Sequence, residues 1–167
     1  MIVLVGFLGA GKTTVGRLLA HRLEMPFRDA DHVLVERSGR SVAEIFATDG
    51  EPAFRALEHA VVTDLLDGPD VVLALGGGAV EHAGTAQALA ALPHRRPGAQ
   101  VVHLQVSLAE ARTRVGDDRG RPMLVRPDLD VVHARRTPGF ASVATLEVAT
   151  AGRTPAEVAD VVTASLT

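Results

Sequence analysis

The chain contains no cysteine, no tryptophan and no tyrosine among its 167 residues, and it contains one lysine. Without cysteine there can be no disulfide framework and no thiolate metal site, so an oxidising compartment has no support in the composition. With five phenylalanines as its whole aromatic complement, the core must be built from aliphatic side chains. No apolar run approaches the roughly 20 residues that a membrane span needs. The formal charge of −3 supplies no bulk attraction to nucleic acid or to an anionic membrane. The chain opens on an apolar strand with no signal-like segment ahead of it, so the expectation is a soluble cytoplasmic protein. Its length suits one domain and is short for two.

What is present begins at Gly6-Phe7-Leu8-Gly9-Ala10-Gly11-Lys12-Thr13-Thr14, a G-x-x-x-x-G-K-T phosphate-binding loop. The apolar run Met1–Val5 enters it as a buried strand, and helical spacing from Thr14 to Leu23 leaves it. Strand, glycine loop and helix together are the context the motif requires. The glycines allow backbone N–H groups to converge on phosphate oxygens at the positive end of a helix. Lys12 supplies a mobile cation for the outer phosphates, and the Thr13 hydroxyl is placed for Mg²⁺. The other sixteen basic residues are arginine, so the only ammonium stands where a compact charge suits better than a planar fork.

Further along, a short second strand over 25–31 ends in Asp29 and Asp31, and a helix starts at His32 and stops at Ser38-Gly39. Ser41-x-x-Glu44 is a capping box that opens a helix ending near Gly50, and a third helical stretch runs from about Pro52 to Leu66. Val71–Leu75 reads as the third strand, followed at once by Gly76-Gly77-Gly78. A helix over 80–92 and a loop from Pro93 to Gly98 lead to a fourth strand over 101–106. Ser107-x-x-Glu110 caps the next helix. Residues 116–127 are polar and punctuated by glycine and proline, as expected of a mobile segment. A helix near 128–136, a short one after Pro138, a fifth strand over 146–150 and a helix capped by Thr154-Pro155-x-Glu157 complete the chain. Strands alternating with helices imply a parallel α/β sheet whose ligands bind beyond the strands' carboxyl ends. The phosphate loop, Asp29 and Asp31, and the triple glycine all fall at such ends.

Taken together, the phosphate loop, Asp29-x-Asp31, Phe54-Arg55-x-x-Glu58, Gly76-Gly77-Gly78, Arg121-Pro122 and Arg136-x-Pro138 resemble the shikimate kinase family over nearly the whole chain. The resemblance implies one domain, residues 1–167, with a three-layer P-loop kinase fold and a five-stranded parallel sheet, nucleoside-monophosphate-kinase-like. It also implies a lid at about 116–126 and a substrate-binding region at about 31–60. The implied reaction moves the γ-phosphate of ATP to the 3-hydroxyl of shikimate, in aromatic amino-acid biosynthesis. By position, Gly9, Ala10, Gly11, Lys12, Thr13 and Thr14 would bind ATP together with Arg114, Arg121 and Arg153. Asp31, Arg55, Gly76, Gly77, Gly78 and Arg136 would bind shikimate. Lys12, Asp31 and Arg121 would be catalytic, and Thr13 with Asp29 would serve Mg²⁺. Two arginines, Arg135 and Arg136, compete for the role of carboxylate binder. The stretch before them is shorter than the family's, and Pro138-Gly139-Phe140 replaces its usual Pro-Leu-Tyr. The expected partners are ATP and shikimate, with no nucleic acid and no membrane, and the expected state is a monomer. A gluconate-kinase-like enzyme of the same fold and a nucleotide-dependent switch without a small-molecule acceptor are the alternatives.

Overall fold

The computed structural model describes residues 1–115 and 128–166, with no side-chain description of Val115. Five parallel strands form one sheet in the order β2-β3-β1-β4-β5. They are β1 (Ile2–Val5), β2 (Phe27–Asp29), β3 (Val72–Ala74), β4 (Gln100–Gln105) and β5 (Leu146–Ala149). The three central strands are largely buried and, apart from Gln100, His103 and Gln105 on β4, apolar, as a sheet covered on both faces demands. The two edge strands are shorter on apolar residues and partly exposed.

Seven helices cover the sheet among the described residues: α1 (Lys12–Arg22), α2 (Ala30–Ser38), α3 (Val42–Asp67), α4 (Ala83–Arg95), α5 (Leu108–Val115), α6 (Leu129–Val143) and α7 (Pro155–Ala164). A 3₁₀ turn, Ala79–Glu81, precedes α4. Helices α1 and α7 pack on each other, while α4 packs between α3 and α6. The three expected capping boxes all form: Ser41 with Glu44, Ser107 with Glu110, and Thr154 with Glu157. Each satisfies backbone N–H groups that would otherwise be orphaned at a helix start.

Several boundaries differ from those the sequence suggests. Helix α2 begins at Ala30, because Asp29 leaves the strand and accepts the Asp31 N–H as the N-cap, 3.1 Å. Asp31 therefore sits in the first turn of a helix, and only Asp29 ends the strand. The expected break between two helices does fall at Gly50, which takes φ 82° and ψ 169° ahead of Pro52 and divides α3 into two helical parts. Pro93 lies in the last turn of α4 instead of opening a loop. Helix α6 runs unbroken through Pro138 where two helices are expected. In α6 the packed apolar face continues past the proline to Phe140 and Val143, and tertiary burial outweighs the lost hydrogen bond. In α4 the proline follows the buried Leu89 and Leu92 directly, two residues before the helix ends.

One large aliphatic core lies between the sheet and its helices. A second, separate cluster of Val33, Leu34, Ile45, Phe54 and Val61 joins α2 to α3. It builds the region from Asp31 to about residue 60 as an outwork with a small core of its own, and the site lies between the two.

Candidate active site

Register brings the site residues to one edge of the sheet. Asp29 aligns with Ala74 on β3, and Ala74 aligns with Leu4 on β1. The chain therefore leaves β1, β2 and β3 at the same level, into the phosphate loop, the Asp29–Asp31 turn and the triple glycine.

The phosphate loop wraps around the start of α1. Gly6 has φ 147°, and a Cβ there would stand 2.5 Å from the Leu104 carbonyl oxygen, so only glycine allows the loop to lie this close to β4. Gly11, at φ 88°, forms the N-cap, and the first turn of α1 carries no acidic side chain. The positive end of the helix is thus left for an anion. Lys12 Nζ donates to the Gly6 and Phe7 carbonyls at 2.7 and 3.1 Å, which folds the ammonium back over the loop. Thr13 Oγ1 donates to Asp29 Oδ2 at 3.1 Å. Asp29 therefore uses one carboxylate oxygen to cap α2 and the other to reach the loop helix. A hydroxyl beside a carboxylate is the hard oxygen set that Mg²⁺ takes.

Arg114 closes the far side of the loop. Its guanidinium donates to Thr150 Oγ1 and the Thr150 carbonyl at 2.7 and 2.8 Å, and to the Gly9 carbonyl at 3.5 Å. Arg153 donates to the Ala149 carbonyl at 2.6 Å. The two arginines expected to flank a base thus meet at the end of β5, one of them touching the loop. Arg121 and the expected lid at 116–126 lie outside the described residues.

The triple glycine is where the halves of the site join. A Cβ on Gly77 would lie 3.4 Å from Leu8 N, against the phosphate loop. One on Gly76 would lie 2.5 Å from Glu58 Oε1 and 2.8 Å from Asp31 Oδ1. One on Gly78 would lie 2.1 Å from Arg55 Nη2 and 2.9 Å from Arg136 Nη2. Three glycines stand in sequence because loop, carboxylates and guanidinium groups crowd the same short stretch of backbone.

Arg55 and Glu58, taken alone, read as a solvated i, i+3 pair on α3. The structure buries them. Glu58 is 2% exposed and accepts from Arg55 Nη1 at 2.6 Å. Burial raises the Glu58 pKa above its ordinary value, against the opposing pull of Arg55. Arg55 Nη2 also donates to Glu51 at 3.3 Å, and its own pKa is raised: burial works against the charge, and Glu58, Glu51 and Glu81 outweigh it. Arg136, from α6, is 3% exposed, whereas the Arg135 side chain beside it is 59% exposed. Of the two competing arginines, Arg136 is the one that enters the site.

Both arginines of α6 are held by Glu81, a residue with no motif to announce it in the sequence. Arg135 Nη2 donates to Glu81 Oε1 at 2.6 Å, and Arg136 Nε donates to Oε2 at 2.8 Å. Arg136 Nη2 lies 2.6 Å from the same Oε2, close enough for ion pairing but without the alignment of a hydrogen bond. Burial would raise the Glu81 pKa, but Arg136 and Arg135 more than offset it and hold the carboxyl below its ordinary range.

A phosphate loop after the first strand of a 2-3-1-4-5 parallel sheet, facing a pocket of arginines and carboxylates, defines an ATP-dependent kinase of a small molecule. Comparison with known proteins supplies the family. The shikimate kinase family model matches residues 8–167. The shikimate kinase of Thermobifida fusca (strain YX) is 44% identical over 169 residues, which span 99% of this chain and 94% of that protein. That of Rhodococcus jostii (strain RHA1) is 38% identical over 168 residues, 98% of this chain and 96% of that protein. The solved structure of the Acinetobacter baumannii shikimate kinase in complex with shikimate superposes with a TM-score of 0.90 at 32% identity, covering 99% of this chain and 91% of that one. The chain belongs to the shikimate kinase family.

Proposed function

We propose that the protein transfers the γ-phosphate of ATP to the 3-hydroxyl of shikimate, with the residues of the two half-sites in the roles their positions suggest. The observation that carries this reading is the triple glycine, which touches the phosphate loop on one side and a carboxylate–guanidinium pocket on the other. A donor phosphate on the loop and a small hydroxylated acid in the pocket would then be neighbours.

On the donor side, the loop N–H groups and the start of α1 hold the phosphates, and Lys12 leaves its two loop carbonyls for the outer phosphate oxygens. Arg114 and Arg153 border the base. Thr13, with Asp29 behind it, would hold Mg²⁺, which when bound neutralises phosphate charge. On the acceptor side, Arg55 and Arg136 take the carboxylate of shikimate, since planar guanidinium groups match it in pairs of hydrogen bonds. Asp31 accepts from the hydroxyls. As the 3-hydroxyl oxygen attacks the γ-phosphorus, its bond to phosphorus forms while the bridging β–γ oxygen departs with ADP. The hydroxyl proton leaves towards Asp31. Arg121, assigned on its motif alone, is the remaining charge for the transferred group. In-line transfer needs mainly this positioning and neutralisation.

The enzyme is read as a Mg²⁺-dependent cytoplasmic monomer with its substrate-binding region at about 31–60. Among the described residues no helix is long and apolar enough to cross a membrane. The decisive experiment is ADP release from ATP and Mg²⁺ with and without shikimate. Release that depends on shikimate supports the reading. Turnover indifferent to shikimate, or an equal response to gluconate, overturns it. Gel filtration and chelation with EDTA test the monomer and the metal.

A further inference from the structure

Glu81 places a carboxylate on the guanidinium groups assigned to the substrate's carboxylate. Its Oε2 takes the Arg136 Nε at 2.8 Å, lies 2.6 Å from Arg136 Nη2, and stands 3.6 Å from Arg55 Nη2. The last two nitrogens are the pair that converge on Gly78. Glu81 Oε2 therefore occupies the junction of the two arginines, on the donor edges an incoming carboxylate needs. Its Oε1 is held from outside by the exposed Arg135 at 2.6 Å. The Glu81 side chain remains 20% exposed, on a one-turn 3₁₀ segment that lets it turn without unpacking a helix.

The charges are almost matched without a ligand. Arg55 already has Glu58 and Glu51, and the α6 arginines share Glu81. A second carboxylate brought between Arg55 and Arg136 meets Glu81 as a like charge at close range, which is unfavourable in a partly desolvated pocket. It binds only as Oε2 gives up Arg136. Arg135, outside the pocket and already bonded to Oε1, can keep the displaced carboxylate paired. Glu58 cannot play this part, because it is fully buried behind Gly76 and faces Asp31.

We propose that Glu81 is a built-in competitor for the substrate's carboxylate, and that Arg135 is the positioning residue that retains Glu81 when the substrate displaces it from Arg136. This rests on the reading of Arg55 and Arg136 as the carboxylate clamp. Glu81 sets the affinity and selectivity of the acceptor site. A simple monocarboxylate, with no hydroxyls for Asp31, does not gain enough to displace it, whereas the full substrate does.

The test uses the intact enzyme, with KM for shikimate and for ATP measured separately and inhibition by cyclohexanecarboxylate as the probe. Glu81→Gln keeps the shape and removes the charge. It is expected to lower the shikimate KM roughly threefold to tenfold, the scale of a part-exposed ion pair, with ATP KM unchanged. Inhibition by cyclohexanecarboxylate should strengthen by the same factor. Arg135→Ala is expected to raise the shikimate KM in the wild-type background and to have no effect in the Glu81→Gln background. Thermal melting confirms that each variant is folded, and Glu81→Ser replaces Glu81→Gln should the latter not fold. An unchanged or raised shikimate KM in a folded Glu81→Gln protein overturns the proposal. So does an Arg135→Ala effect that persists without Glu81, which would make Arg135 a direct ligand. The underlying reading fails separately: Arg55→Ala and Arg136→Ala would then leave shikimate binding unchanged.

Discussion

Gly78→Ala isolates the acceptor site from the fold. Gly78 has φ −123° and ψ 4°, a backbone conformation open to alanine, so the substitution carries no left-handed strain. What it adds is one methyl group 2.1 Å from Arg55 Nη2 and 2.9 Å from Arg136 Nη2. The Arg55 guanidinium must retreat by on the order of 1 Å to reach an ordinary contact distance. It is pinned there by Glu58 at 2.6 Å and Glu51 at 3.3 Å, so the retreat strains the pair it belongs to. A charge-assisted hydrogen bond is worth about 1.5–3 kcal/mol, and a misplacement of about 1 Å can cost around 10²-fold. The expected result is a shikimate KM raised by about ten- to a hundredfold, with ATP KM within about twofold. Gly77→Ala, whose methyl would meet only the phosphate loop at 3.4 Å, serves as the comparison and should leave shikimate KM nearer to wild type. Steady-state kinetics with each substrate varied, beside a melting curve, decide the matter. A folded Gly78→Ala enzyme with normal shikimate KM would refute the placement of the carboxylate between Arg55 and Arg136.

Three further predictions follow from the same geometry. Lys12→Met should lower turnover by about 10² to 10³-fold through the loss of one charged transition-state contact, in a protein whose circular dichroism is unchanged; substantial residual activity would count against the loop assignment. Arg55→Ala should weaken shikimate by roughly 2–4 kcal/mol with little effect on ATP, and Arg55→Lys should recover little because a point charge cannot reproduce the fork; parallel titrations of the two ligands decide it, equal losses marking a structural role. The raised Glu58 pKa makes stability depend on pH in a defined direction. Its contribution is fully present below the ordinary value of 4.5 and is lost as pH rises through the elevated folded value, because the folded state binds the extra proton. Denaturation of wild type and Glu58→Gln at a series of pH values from 4 upward should show wild type losing stability relative to the variant as pH increases; a flat difference would contradict it.

The local sequence determined the phosphate loop, the strands, the three capping boxes and the order of elements, because each depends on residues near one another in the chain. An apolar run, a Ser-x-x-Glu or a G-x-x-x-x-G-K-T carries its own conformational preference, and the structure realises each where it stands. The sequence also supplied the members of the site through their motifs, though not their roles towards one another. Tertiary structure decided the rest. Pro93 and Pro138 sit within helices because the apolar faces around them are buried, which local propensity cannot register. Arg136, and not Arg135, enters the site because only one of two adjacent positions on α6 turns its side chain inward, towards Gly78 and Glu81. Glu58 is a buried partner instead of a surface pair because the stretch from Gly76 to Gly78 closes over it. Glu81 joins the site although no motif marks it. Its two partners on α6 are more than fifty residues away in the chain, and only the packing of α6 against the 3₁₀ turn and α4 makes this carboxylate their neighbour.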